Sequence, residues 1–426
     1  MSGLQQTAFR RVLIIGWVWP EPKASAAGEQ MLAIIRLMQS VSEEIHFASP
    51  AQKTELSFPL ESIGVQTSAI DVNNSSFDLY LADLSPDVVI FDRYMMEEQF
   101  GWRVDLNCPD AIRILDTEDL HSLREARQKA LTNGSKLDLN TEKALREIAS
   151  IHRCDTSLII SRDEFDLLQR HYQVPQSWLV NLPLRYGAGD INPDNSHLAK
   201  MLGYEHRTDF ISIGNFRHPP NWDSVLWLRE LWPSIRAQIP NAKLHIYGAY
   251  LPAKAKQLHN EKLGFYVHGW IEDAFLAMSR ARVCLAPLRF GAGQKGKLVL
   301  AAMAATPSVS TTVGAESMML EETLWPGVIA DKESEFINAA VRLYTDEDFW
   351  ISAHSRCDAY DQYYNKKPNW GNELVTRLIY LKENLAQHRN SNFVSLMLRH
   401  HHHRSTQFMS QWIEAKNQLA DLKDSD

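Results

Sequence analysis

The sequence predicts an α/β protein of two doubly wound parallel-sheet domains followed by a helical extension. Three observations predict it. Short runs such as Val12-Leu13-Ile14-Ile15 and Val88-Val89-Ile90-Phe91 are apolar throughout, as strands covered by helices on both faces must be. These runs alternate with segments of helical character, the pattern of successive βαβ units. The alternation starts afresh after a polar, turn-rich stretch, and 426 residues are too many for one core. The expected domains are 1–195, 205–365 and a helical extension over 366–426.

In the first domain, Val12–Ile15, Ile45–Phe47, Val88–Phe91, Ile112–Leu115 and Ser157–Ile160 read as strands. Gln30–Gln39, Glu97–Val104, Ser122–Leu131, Thr141–Ile151 and Arg162–His171 read as the helices between them. Tyr186–Asp190 and Asn192–Ser196 are rich in turn formers and mark the linker. The second domain opens with the strand Phe210–Ile213 and a helix whose apolar positions Val225, Leu228, Trp232, Ile235 and Ile239 keep helical spacing. Asn221 is its expected N-cap, and Pro233 is expected to kink or split it.

The stretch Phe265–Met318 then carries strand (Phe265–Gly269), helix (Ala274–Ala281), strand (Arg282–Pro287), glycine-rich loop (Phe290–Gly296), helix (Lys297–Ala305), strand (Ser308–Thr312) and a second glycine turn (Val313–Glu316). Gly291, Gly293 and Gly296 let backbone N–H groups approach an anion closely. Lys295 and Lys297 add charge where a helix N-terminus already favours it. A phosphate-bearing ligand fits this arrangement; a plain surface loop with lysines is the simpler alternative. After Asn369 the chain reads as helices over Leu374–Asn384, Phe393–Leu398 and Gln407–Leu422. His400–His403 are consecutive, so their side chains diverge on a helix, and a surface cluster is favoured over a metal site.

The words Gly291-Ala292-Gly293-Gln294-Lys295-Gly296-Lys297, Ala301-Ala302-Met303-Ala304-Ala305-Thr306-Pro307 and Ser310-Thr311-Thr312-Val313-Gly314-Ala315-Glu316 resemble the carboxyl-terminal signature of family 4 glycosyltransferases. Ile211-Ser212-Ile213-Gly214-Asn215-Phe216 and Val267-His268-Gly269-Trp270 extend the resemblance upstream. It implies the GT-B fold, two Rossmann-like domains facing a cleft with terminal helices crossing back to the first. It also implies transfer of a sugar from a nucleoside-diphosphate sugar with retention of anomeric configuration. On this reading Gly214, Asn215, Arg217, Gly269, Trp270, Gly291, Ala292, Gly293, Lys295, Lys297, Gly314 and Glu316 bind the donor. The chain departs from the family at its paired glutamates: Leu300 stands where a carboxylate commonly holds the ribose, and the earlier glutamate falls near Ala292. Glu316 on the next loop is the carboxylate available as a substitute.

In the first domain the loop Trp17–Gly28, ending at Glu29, follows the first strand and is expected to face the cleft, with Gly28, Glu29 and Glu118 on the acceptor side. Asp116-Thr117-Glu118-Asp119-Leu120-His121 follows an apolar strand and can form a polar pocket. The family resemblance makes His121 the candidate near the anomeric carbon, with Asp116 next; Asp119 acting as a helix cap is the plain alternative.

A net charge of −8 argues against a general nucleic-acid binder. Four scattered cysteines without a C-x-x-C pair suit a reducing cytosol and argue against a structural zinc site. No apolar run is long enough to span a bilayer, and the start is unlike a signal peptide; contact with a membrane surface stays open. No metal and no cofactor are expected, only a nucleotide sugar and a glycan, glycolipid or small acceptor. The competing readings are another GT-B enzyme such as an epimerase, and a non-catalytic scaffold that binds a nucleotide sugar or a partner. Oligomeric state is not legible.

Overall fold

The computed structural model describes residues 7–186, 199, 201–318, 324–365 and 369–424. The first sheet consists of β1 (Phe9–Ile15), β2 (Ser42–Ser49), β3 (Gln66–Ala69), β4 (Val88–Asp92), β5 (Ile112–Asp116), β6 (Thr156–Ile159) and β7 (Leu179–Asn181), in the order β3-β2-β1-β4-β5-β6-β7. The second consists of β8 (Thr208–Ile213), β9 (Leu244–Tyr247), β10 (Phe265–Gly269), β11 (Ala281–Ala286), β12 (Ser308–Ser310) and β13 (Gly327–Ile329), in the order β10-β9-β8-β11-β12-β13. All pairings are parallel. In each sheet the strand order reverses once, between β1 and β4 and between β8 and β11. Loops leaving the carboxyl ends of the strands diverge there and open a crevice.

The apolar runs have the predicted cause. Leu13, Ile15, Val89, Phe91 and Leu115 pack into a core on one face of the first sheet, while Val12, Ile14, Val88, Ile90, Ile112 and Ile114 pack into another on the opposite face. Strands β3, β7, β9 and β13 lacked that signal. Gln66-Thr67-Ser68-Ala69 lies at a sheet edge, and in β9 the buried Leu244 and Ile246 alternate with the half-buried His245 and Tyr247. The helix Ser76–Leu84 was also not anticipated.

Two expectations about the helix opening the second domain fail. It runs unbroken from Pro219 to Gln238 with Pro233 inside it, and its N-cap is His218, not Asn221. Pro219 and Pro220 occupy the first turn, where a missing N–H costs no helical bond. From Gly187 to Ser196 the expected linker lies outside the described residues.

The terminal helices return to the first domain. Leu374, Leu378 and Leu381 of the helix Asn372–Asn390 enter the core beside β1, β4 and β5. Trp370 Nε1 donates to the Pro183 carbonyl at 2.8 Å, and the Arg389 fork binds both oxygens of Asp155 at 2.7 Å each. The last helix, Phe393–Asp424, is continuous through the histidine run and packs on the helix Tyr94–Asn107. There the surface-cluster reading needs correction: His403 is buried, with Nδ1 3.2 Å from Asp105 and Nε2 3.7 Å from Glu97. Burial alone would lower its pKa, but the hydrogen bond to Asp105 and the nearby charge of Glu97 outweigh it and hold the pKa above the usual value. No helix among the described residues is long and apolar enough to cross a membrane. The four cysteines are buried free thiols.

The returning helix should therefore act as part of the first domain's core. Leu378→Ala is expected to destabilise the protein by about 2–5 kcal/mol, the range for an unfilled buried leucine site, measured by urea unfolding monitored through tryptophan fluorescence.

Candidate active site

The carboxyl ends of the two sheets face each other across a cavity of about 680 Å³, inside the size range of small-molecule sites. Its walls are the loops at the two switch points.

The second-domain wall starts where β8 ends. Asn215 Oδ1 accepts the backbone N–H of Arg217 at 2.8 Å, folding the turn, and Asn221 Nδ2 donates to the Asn215 carbonyl at 3.0 Å. Asn221 Oδ1 then accepts from Lys297 Nζ at 2.8 Å, so the residue expected to cap a helix instead joins two cavity loops. After β11 the glycine loop leads into the helix Gly296–Met303, whose first turn brings free-ended N–H groups and Lys297 to the wall. Burial lowers the Lys297 ammonium to about 8, with neighbouring Lys295 adding to the effect. Lys295 is buried and donates to the loop carbonyls of Ala292 and Gly293, so its charge braces the loop from inside. Arg217 is exposed and lies over the Tyr250 ring at 3.6 Å, while Tyr250 donates to Glu21 of the first domain at 2.5 Å. Trp270 lines the cavity and donates from Nε1 to the Lys23 carbonyl at 3.3 Å.

The first-domain wall is acidic. Asp92 and Asp116 end adjacent strands in register. Burial and the charge of Asp92 push Asp116 up to about 7, and burial with the charge of Asp116 pushes Glu118 well above the usual carboxylate range. Asp119 stays well below that range despite burial, because Arg124 and His121 face it. His121 opens the helix His121–Asn133, and its Nε2 lies 3.4 Å from Asp119 Oδ1. Burial takes its pKa down to about 3, against the pull of Asp119, so the ring is neutral at physiological pH. His218 across the cavity is neutral for the same reason, at about 4. The plain reading of Asp119 as a cap does not hold. Glu147 caps this helix instead, accepting from the N–H groups of His121 at 2.9 Å and Ser122 at 3.0 Å.

The two walls are joined by direct bonds. Glu164 Oε1 accepts from Leu120 N at 3.0 Å and from Gly293 N at 2.8 Å. Arg127 makes a two-pronged ion pair with Glu316 at 2.6 Å per arm and donates to the Gly291 carbonyl at 2.8 Å. Gly293 has φ +63, and a Cβ there would sit 2.8 Å from Asp119 Cβ, so the site requires glycine.

Of the anticipated residues, Gly28, Glu118, His121, Gly214, Asn215, Arg217, Trp270, Gly291, Ala292, Gly293, Lys295 and Lys297 line the cavity. Asp116 lies beneath it, screened by the loop it supports through Glu118 N at 3.2 Å. Glu29, Gly269 and Gly314 lie outside the lining, the last packed against Ser310. Glu316 pairs with Arg127 at the domain joint and is not among the residues that line the cavity. Leu300 does line it and is buried. The sequence offered no signal for Glu164 or Arg127, which act across the joint. His218 was visible as a side chain placed just before a proline-started helix.

Residues 207–346, which hold the second sheet, match the family model of group 1 glycosyl transferases. Among solved structures, sucrose-phosphate synthase from Thermosynechococcus elongatus superposes with a TM-score of 0.62 at 16% identity over 88% of this chain and 100% of that one. Anabaena HepE in complex with UDP-glucose gives a TM-score of 0.61 at 12% identity, over 88% and 99%. S. aureus TarM gives 0.55 at 10% identity over 71% of this chain, which spans 58% of TarM's length. The shared architecture is the GT-B fold. No curated protein sequence matches the chain.

Two outcomes follow from this geometry. Lys297 binds an anion only when protonated, so nucleoside-diphosphate affinity should fall as pH rises through about 8, and Lys297→Arg should remove that decline in calorimetric titrations from pH 6.5 to 9. Glu316→Gln should lower the melting temperature by weakening the domain joint while leaving nucleotide affinity within about threefold, well short of the tenfold worth 1.4 kcal/mol.

Proposed function

We propose that the protein transfers a glycosyl group from a nucleoside-diphosphate sugar to a hydroxyl-bearing acceptor, with retention and without an essential metal. The observation that carries this reading is the electrostatic division of the cavity. Among the described residues the second domain contributes only cations, Arg217, Lys295 and Lys297, whereas the first contributes all the lining carboxyl groups, Glu21, Asp92, Glu118 and Asp119, interleaved with Lys23, Arg93 and Arg124. A diphosphate suits the second wall, where Lys297 and a helix N-terminus stabilise the charge that develops as the sugar leaves. Sugar hydroxyls suit the first, where the neutral His121 ring can donate or accept and the carboxyl groups can accept. The family match of the second domain and the HepE likeness, in a structure holding UDP-glucose, support a nucleotide-sugar donor.

Leu300 favours a second reading, a scaffold that binds the nucleotide without transfer, because among the described residues no carboxylate of the second domain lines the cavity to hold a ribose. A thermal-shift screen of UDP, GDP and ADP and their sugars identifies the donor, since a ligand at about 100 times its dissociation constant adds about 2.7 kcal/mol. Release of the nucleoside diphosphate from the stabilising sugar then distinguishes transfer from binding alone. His121→Ala should retain donor binding and lose at least about a hundredfold in turnover. Turnover should survive EDTA; loss restored by Mg²⁺ would refute the metal-free reading.

A further inference from the structure

The last helix, Phe393–Asp424, turns its polar side inward. Arg399 and His403 bind Asp105, Ser410 Oγ accepts from Arg103, and Glu414 accepts from Ser75 N at 3.1 Å and Ser75 Oγ at 2.6 Å. At about 100° per residue these side chains fall in one arc of the helix. The opposite arc holds Phe393, Met397, Phe408, Trp412 and Leu419, all exposed, Phe408 at 64% and Trp412 at 61%. The inward bonds fix that orientation, so the apolar face cannot rotate into the protein.

The same outward ridge reads Arg404, Phe408, Trp412, Lys416 at four-residue spacing, with Lys416 Nζ 5.4 Å from the Trp412 ring centre. Two aromatic side chains flanked by cations on an exposed ridge have the composition of a helix lying in a lipid interface. Charge decides against a second copy as the occupant. In either direction, pairing this ridge with itself brings Arg404 and Lys416 against like charges, and Glu414, the acid nearest the ridge, is turned inward.

We propose that this face docks the protein on an anionic lipid surface, with Phe408 and Trp412 inserted at the headgroup level and Arg404 and Lys416 facing lipid phosphates. The surface lies on the first domain and uses no residue of the cavity lining. The proposal does not depend on the activity proposed above.

Co-sedimentation of the full chain with phosphatidylcholine vesicles, with and without phosphatidylglycerol, tests it. Binding is expected only to the anionic vesicles and should weaken with salt. Phe408→Ser/Trp412→Ser should abolish it, and Arg404→Glu/Lys416→Glu should weaken it at least about fivefold. Unchanged melting temperatures would show that both variants fold. Absence of binding to anionic vesicles, or equal binding by the variants, would overturn the proposal. So would a wild-type dimer in light scattering that Phe408→Ser/Trp412→Ser converts to monomer.

Discussion

The position of the glycine loop depends on one buried carboxylate. Glu164 of the first domain receives N–H groups from Leu120 beside the acidic wall and from Gly293 in the loop of the second domain. A desolvated carboxylate is costly, and burial with the nearby Asp119 charge pushes its pKa up to about 8. The two N–H donors and Lys295 behind the same loop oppose that rise. The Gly293 N–H that serves Glu164 cannot serve a phosphate at the same time. Lys297 and the first turn of its helix are left as the anion-facing groups of that wall.

The joint also removes one pair of charges from the cavity. Arg127 and Glu316 satisfy each other at its edge, so neither is available to the interior. Within the first domain, Asp92 and Asp116 are brought side by side by strand register, and two adjacent buried carboxyls cannot both ionise easily. The carboxyl groups of this wall therefore differ in proton affinity, with Asp119 held low by Arg124 and Glu118 raised by burial and the Asp116 charge. With the neutral His121 ring, such a wall can both donate to and accept from sugar hydroxyls.

Much of the site was legible because its residues lie in short local motifs. A glycine loop between a strand and a helix places Gly291, Gly293 and Lys297 at a strand's carboxyl end wherever the strand sits in the sheet, and His121 follows an apolar strand in the same way. Residues whose role depends on a partner far away in sequence were not legible. The place of Glu316 beside the glycine loop is local, but its pairing with Arg127, 189 positions earlier, is not. Asp119 looked like a cap because it precedes a helix, yet Glu147 reaches that helix first.

The sequence by itself determined the two parallel sheets, because strands buried on both faces must be apolar at every position, and it determined the glycine-and-lysine loop that leads from β11 into a helix, because that placement is local. It did not determine β3 or β9, whose polar or alternating residues carry no such constraint. Only the tertiary structure decided which charges face the cavity and which are consumed at the joint, since that depends on distances between domains. It also decided the outward apolar face of the last helix. The periodicity of an amphipathic helix names two faces, and only the salt links of Arg399 and His403 to Asp105 choose which one meets the protein.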